Sequence, residues 1–167
     1  SMIKLVNELR RRSPTLSFVC ARAPDVPRAL LDDLYRTCDA EVFITDDVEE
    51  ALVRSQLAIA HPGTSTLHAT LRGCSVLSLC NPAQLTKWVA RRFLNLESVV
   101  LPNILLGRAV FPEYVVSESA VEDWAERVCA MLDEPELFML PIQEIWSACF
   151  NPEGTKELTS ELDRLFS

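Results

Sequence analysis

The segment 61–68, which reads His-Pro-Gly-Thr-Ser-Thr-Leu-His, constrains the fold of this chain more than any other feature. The preceding residues 57–60 are short and apolar, as expected of a buried strand. Gly63 predicts a turn, after which Thr64 or Ser65 can cap a new helix. Unpaired amides and the positive end of the helix dipole meet there, which is a geometry that binds phosphate. The segment therefore predicts either the phosphate-binding turn of a nucleotide-binding α/β domain or an ordinary junction between strand and helix.

A second motif predicts a turn at the same edge of the sheet. Residues 99–101 are apolar and predict a strand that runs into a Pro102-Asn103 turn. The carboxyl ends of parallel strands share one edge, and ligands of open α/β sheets bind at that edge. Asn103 can either contact a ligand there or cap its own backbone.

Strand-like and helix-like segments alternate along the chain. Strands are predicted at 16–20, 42–45, 57–60, 76–80 and 99–101, and helices at 3–12, 27–38, 48–52, 64–72, 84–94, 121–132 and 156–166. In the helix at 27–38, Leu30, Leu31 and Leu34 are predicted to face the core. The alternation predicts an α/β fold, namely a Rossmann-like parallel sheet with helices on both faces and a helical C-terminal segment.

Composition excludes several classes of protein. A chain of 167 residues with 49% hydrophobic content suits one domain with a substantial core. The net charge of −8 argues against nucleic acid as a partner. The six cysteines form no Cys-x-x-Cys pair, which favours a reducing cytosol and argues against a disulfide framework or a zinc site.

Basic residues are concentrated between the two motifs. Residues 71–110 carry five basic side chains against one acidic side chain, although the chain as a whole is acidic. This stretch either faces an anionic ligand or is simply a solvated helix face.

The stretch from Leu57 to Val116 resembles the C-terminal, donor-binding half of the lipid-A-disaccharide synthases, which are glycosyltransferases of the GT-B type. The matching motifs are Gly63-Thr64, Lys87-Trp88 with Arg91-Arg92, Leu101-Pro102-Asn103, Gly107-Arg108 and Glu113. The chain departs from the family pattern at His68, where the family has a glutamate, and at Val116, where it often has a glutamine.

The resemblance implies a hexosyltransferase of lipid A biosynthesis. It would transfer 2,3-diacylglucosamine from UDP-2,3-diacylglucosamine to 2,3-diacylglucosamine 1-phosphate, with inversion, release of UDP and no cofactor or metal. A nucleotide-sugar-binding domain is then expected over 1–140 and a helical extension over 141–167. No catalytic residue is assigned, because the family's acceptor-activating residues lie in the other half, so this chain alone is expected to be inactive. The alternatives are a non-catalytic nucleotide-binding or assembly module of the same fold, or another UDP-sugar glycosyltransferase.

The implied nucleotide-sugar-binding residues are Gly63, Thr64, Ser65, His68, Asn103, Arg108 and Glu113. The amides and hydroxyls around Gly63 suit the diphosphate. His68 stands where the family glutamate accepts hydrogen bonds from the ribose hydroxyls, and a neutral imidazole accepts only one such bond. It therefore either weakens nucleotide binding or has no ligand role. Arg108 and Glu113 either help to bind the donor or pair with each other.

A basic helix is the candidate membrane contact. Its basic and aromatic residues are Lys87, Trp88, Arg91 and Arg92. They suit a helix on an anionic membrane surface, in agreement with the acylated substrates, or an ordinary amphipathic helix with its apolar side in the core. The first interpretation implies a cytoplasmic protein that is peripheral on the inner face of the inner membrane.

The strand that opens this half in the family is missing ahead of the helix at Ile3. That strand is central in a doubly wound sheet, and its loss leaves backbone groups that are costly to bury unpaired. We expect the sheet either to re-pair or to take a strand from another copy, which would give a homo-oligomer by strand exchange. An intact six-stranded sheet in a monomer is not expected.

Overall fold

The computed structural model describes residues 2–81 and 98–150, which form a mixed α/β fold with parallel strands flanked by helices. The elements in chain order are α1 (Met2–Arg12), β1 (Phe18–Ala21), α2 (Arg28–Tyr35), β2 (Val42–Thr45), α3 (Val48–Val53), β3 (Leu57–Ala60), α4 (Thr64–Leu71), β4 (Ser75–Cys80), α5 (Leu101–Leu106), β5 (Glu113–Val115), a 3-10 turn (Glu118–Ala120), α6 (Val121–Asp133) and α7 (Glu136–Phe150). The predicted fold class is confirmed. The helices predicted at 84–94 and 156–166 lie outside the described residues.

Two compact units divide these elements. The first comprises residues 2–57 and 116–134, and the second comprises the described residues 58–81, 98–115 and 135–150. The strands also lie in two sheets, with the orders β1-β2 and β3-β4-β5. Re-pairing into one sheet, the first of the two expected outcomes, is not found within 2–81 and 98–150. Strand exchange with another copy stays a prediction.

The first unit is built on the pairing of α1 with α6. On α1 the apolar side chains at helical spacing, Leu5, Val6 and Leu9, are buried. Trp124 and Val128 are among the buried side chains of α6. Strands β1 and β2 are parallel, with Phe18 opposite Val42 and Ala21 opposite Thr45.

The burial predicted for the leucines of helix α2 is wrong. Leu30 and Leu34 are exposed rather than inward-facing, and Leu31 is only half-buried. The apolar spacing correctly indicated a helix, but α2 has no fully buried residue. Amphipathic spacing predicts the periodicity of a helix and does not supply the element that would cover its apolar side.

The second unit is organised around β4, in which every residue is buried. Its register with β5 is parallel and places Ser78 opposite Glu113 and Cys80 opposite Val115. Helices α4, α5 and α7 pack against one another, and α4 also packs on β4. A strand buried on both faces is typical of a parallel sheet, whose crossover helices cover both sides.

The predicted strand at 99–101 is wrong, because Leu101 is the first residue of α5 and the last described strand is β5. Pro102 lies in the first turn of this helix, where its missing N–H is no loss and its fixed φ favours helix. Among the described helices, none has the combination of length and hydropathy that a membrane span requires.

Cys74 gives the first testable prediction. Its side chain is 0% exposed, and burial raises its thiol pKa from 9.0 to about 11. At pH 8 only about 0.1% of this thiol is ionised, and thiolate is the reactive form. Iodoacetamide at pH 8 should therefore leave Cys74 unmodified in the folded protein and modify it in denaturant, as read by mass spectrometry. The half-buried Cys20 is the internal comparison, and equal labelling rates for the two would contradict the prediction.

The same shift has a consequence for stability. Because the pKa of Cys74 is higher in the folded than in the unfolded chain, unfolding releases a proton between pH 9 and about 11. This contribution to stability is present in full below pH 9 and is lost as the pH rises towards about 11.

Candidate functional site

The turn after β3 depends on the backbone of one glycine. Gly63 has φ 136° and ψ −157°, a conformation that is essentially restricted to glycine. A Cβ at this position would have no atom within 4 Å, so the requirement for glycine arises from the backbone and not from crowding. The chain can thus pass from the end of β3 at Ala60 to the start of α4 at Thr64 through only the three residues 61–63.

Hydroxyl groups of the first turn of α4 hold this glycine turn in place. The carbonyl oxygen of Gly63 accepts hydrogen bonds from the Thr66 amide at 3.2 Å and from the Thr66 hydroxyl at 2.6 Å. The Ser65 hydroxyl donates to the carbonyl oxygen of His61 at 3.0 Å. Gly63 itself is the N-cap residue, so the prediction that Thr64 or Ser65 caps the helix is wrong. With Thr64 as the N-cap the helix would begin at Ser65. Because Gly63 takes the N-cap position with its unusual dihedral angles, the helix begins one residue earlier, at Thr64.

The start of α4 offers amide donors to an anion. By helix geometry the amides of Thr64 and Ser65 have no carbonyl partner within the helix, and both residues are exposed. The Ser65 hydroxyl is already donating to His61. The amides of Thr64 and Ser65 therefore offer donors to a diphosphate, and the positive end of the helix dipole favours its negative charge.

His68 lies one turn further along α4, four residues after Thr64, and its side chain is half-buried. Residues four apart share one face of a helix. The imidazole thus lies on the same helix face as Thr64.

Asn103 is almost fully buried, with 2% of its surface exposed. Its Oδ1 accepts from the amide of Val110 at 3.0 Å and from the amide of Phe111 at 2.8 Å. Its Nδ2 donates to the carbonyl oxygen of Phe111 at 2.8 Å. The side chain therefore links α5 to the segment that leads into β5, so the expected Pro102-Asn103 turn, with Asn103 capping its own local backbone, is not what the structure shows.

Arg108 and Glu113 each contact a different residue, and neither contact joins their two side chains. The Arg108 guanidinium forms an ion pair with Glu144 on α7. Glu113 Oε2 accepts from the amide of Val99 at 3.0 Å. Burial raises the pKa of Cys80, and the nearby charge of Glu113 raises it further.

The second unit contains all of the expected nucleotide-sugar-binding residues. Six of them precede β5, and the seventh, Glu113, is its first residue. The candidate membrane residues Lys87, Trp88, Arg91 and Arg92 lie outside the described residues. In the described part of the chain, no three His, Cys, Asp or Glu side chains are placed to share a metal ion.

Sequence reasoning missed Glu144. It is 36 residues from Arg108 along the chain, and no motif or periodicity connects the two positions. It also missed Ser78, whose buried hydroxyl has no hydrogen-bond partner among the described atoms. The apolar run around Ser78 predicts a buried strand, but nothing in the sequence indicates that this hydroxyl lies without a hydrogen-bond partner.

Comparison with known proteins identifies the family. The family model described as lipid-A-disaccharide synthetase matches residues 1–137. A lipid-A-disaccharide synthase of Anaeromyxobacter dehalogenans (strain 2CP-1 / ATCC BAA-258) is 30% identical over 136 residues, which is 80% of this chain and 35% of that protein. The enzyme of the same name from Pseudomonas fluorescens (strain Pf0-1) is 30% identical over 129 residues, or 77% of this chain and 34% of that protein.

A third relative, the lipid-A-disaccharide synthase of Salmonella agona (strain SL483), is 29% identical over 131 residues, covering 78% of this chain and 31% of that protein. The chain thus spans about a third of the length of the curated relatives that it matches. The resemblance seen in the motifs of the sequence is confirmed by these matches. The chain belongs to the lipid-A-disaccharide synthetase family.

Proposed function

We propose that this chain is the donor-binding portion of a lipid-A-disaccharide synthase. The reaction would transfer 2,3-diacylglucosamine from its UDP form to 2,3-diacylglucosamine 1-phosphate, with inversion and release of UDP. The observation that carries the proposal is the glycine turn at the start of α4, which lies in the part of the chain that the family model matches. Its exposed amides suit the diphosphate of a nucleotide sugar.

In this proposal the turn residues and the guanidinium of Arg108 have separate roles. Gly63 shapes the turn, and the amides of Thr64 and Ser65 bind the diphosphate. Arg108 supplies a positive charge to the same group, since a guanidinium binds phosphate through several N–H donors. Charge that builds on the departing UDP is then stabilised by donors already in position.

The remaining site residues act on the ribose or on the shape of the site. His68 accepts one hydrogen bond from the ribose. Asn103 acts through the backbone segment that it holds, since its own polar atoms are bonded to Val110 and Phe111. Glu113 holds the amide of Val99 and so fixes the entry to α5.

We further propose the setting in which this portion works. Residues 1–140 form the nucleotide-sugar-binding domain and 141–167 an extension. The chain alone is inactive, because groups that activate the acceptor come from elsewhere in the enzyme. The basic residues at 87–92 contact an anionic membrane surface on the cytoplasmic face of the inner membrane. A second copy supplies a strand to the open sheet.

The rival proposal is a non-catalytic module of the same fold. Its support comes from His68 and Val116, which depart from the family pattern. A different UDP-sugar glycosyltransferase is disfavoured by the Pro-Asn and Gly-Arg motifs. Assay of the enzyme that contains this chain with a panel of UDP sugars separates these alternatives, because the proposal requires turnover with the diacylated donor.

His68 provides a direct test of the ribose contact. His68→Glu restores a carboxylate that accepts two hydroxyl bonds, so UDP should bind about tenfold to a hundredfold more tightly than to the unaltered protein. His68→Gln is the matched control, since it changes the same side chain without introducing a carboxylate. Calorimetric titration with UDP measures both. An affinity of His68→Glu that is equal to or weaker than that of the unaltered protein would exclude the ribose contact.

A further inference from the structure

One ion pair connects the candidate site to α7. The Nη2 of Arg108 contacts the Oε2 of Glu144, and both residues belong to the second unit. Arg108 follows Gly107, which ends α5 in a left-handed conformation with φ 62°. The amide of Arg108 donates to the carbonyl oxygen of Asn103 at 3.2 Å. The backbone of Arg108 is thus fixed, and the freedom that remains is in its side chain.

The surroundings of the pair are also fixed. Phe111 stacks on Phe138 of α7 with ring centroids 5.8 Å apart, and both rings are buried. Asn103 binds the amides of Val110 and Phe111. The part of α7 that carries Glu144 is therefore packed beside the loop that carries Arg108, and Glu144 directly precedes the buried Ile145.

The ion pair between Arg108 and Glu144 is weak in comparison with the buried contacts around it. The side chains of Arg108 and Glu144 are 50% and 41% exposed. An ion pair with this exposure contributes little to stability, because water screens it and two long side chains lose freedom. A phosphate group is a stronger partner for a guanidinium, since it carries more charge and offers several acceptor oxygens.

We propose that Glu144 is an internal competitor for Arg108. The guanidinium is held by Glu144 when the donor site is empty and turns to the diphosphate when a nucleotide binds. Glu144 therefore lowers the affinity for nucleotide diphosphates and favours release of UDP after transfer. This inference rests on the proposed donor-binding role of Arg108.

The test is a calorimetric titration of the protein with UDP in four variants. Glu144→Gln should bind UDP about twofold to fivefold more tightly than the unaltered protein, which is the range that an exposed ion pair allows. Glu136→Gln, the same change at an exposed position of α7, should leave the affinity unchanged. Arg108→Gln should weaken binding, and adding Glu144→Gln to it should have no further effect. The midpoint of thermal unfolding reports whether each variant is folded.

The outcomes separate this inference from the proposed function. If the unaltered protein binds UDP and Glu144→Gln binds it equally or more weakly, the competitor role is excluded while the donor site stands. If the gain persists in the Arg108→Gln background, the effect does not act through Arg108 and the inference is also overturned. If no variant binds UDP, both fail. Binding by Glu144→Gln alone, dependent on Arg108, supports the competitor role in its strongest form.

Discussion

Replacement of Asn103 by leucine should lower the free energy of unfolding by about 3–5 kcal/mol, because three backbone groups, two of them buried and that of Val110 partly buried, lose their partners at once. Those groups are the amides of Val110 and Phe111 and the carbonyl oxygen of Phe111, each within 3.0 Å of the Asn103 amide group. The cost exceeds that of an ordinary surface substitution, since Asn103 is only 2% exposed and water cannot replace the lost bonds. Chemical denaturation of both proteins measures the difference.

Asn103→Asp is the matched variant for this prediction. An aspartate retains an oxygen that can accept from the two amides, but it loses the Nδ2 donor to Phe111. A loss smaller than that of the leucine variant is therefore expected. If Asn103→Leu changes the free energy of unfolding by less than about 1 kcal/mol, the three hydrogen bonds do not have the assigned role.

Replacement of Gly63 by alanine should destabilise the protein by about 1–3 kcal/mol and weaken UDP binding by about tenfold or more. The dihedral angles of Gly63, φ 136° and ψ −157°, are strained for any residue with a Cβ. Relief of that strain requires the turn to move, and the amides of Thr64 and Ser65 move with it. Denaturation and UDP titration of the same preparation measure the two effects.

Gly107→Asn controls for the loss of a positive-φ glycine. Gly107 has φ 62° and ψ 21°, a left-handed conformation that asparagine tolerates. A Cβ added at either glycine would have no atom within 4 Å, so crowding is the same for both. We expect Gly107→Asn to cost less stability than Gly63→Ala. The opposite order would show that the unusual backbone of Gly63 is not what requires glycine there.

Periodicity predicted the elements of the fold well and their surroundings less well. The helix predicted at 3–12 is confirmed as α1, whose buried residues are Leu5, Val6 and Leu9. The apolar spacing in α2 also gave a helix, but Leu30 and Leu34 are exposed. Burial depends on what packs against a face, and that is a property of distant residues which a local pattern does not contain.

Short apolar runs were the weakest basis for prediction. Residues 99–101 were expected to form a strand, and Leu101 instead begins α5. A run of three apolar residues fits a strand and the start of a buried helix equally well. The following Pro102 favours a helix start, and this local signal was the decisive one.

The candidate site shows the same division between local and distant contacts. Gly63 was identified from its place between a strand and a helix, because the turn is made by neighbouring residues. The partners of Asn103 lie seven and eight residues away, and Glu144 lies 36 residues from Arg108. Such pairings follow from how α5, β5 and α7 pack, so the motif residues could be predicted while the groups that hold them could not.

The proposed function depends above all on the turn at Gly63 binding the diphosphate of a uridine nucleotide. Calorimetric titration of the protein with UDP, beside a titration with uridine, isolates this interaction, because the two ligands differ only in the diphosphate. Binding of UDP with no measurable binding of uridine is the expected result. Equal affinities for the two ligands, or no binding of UDP, would rule out a diphosphate-binding role for this turn.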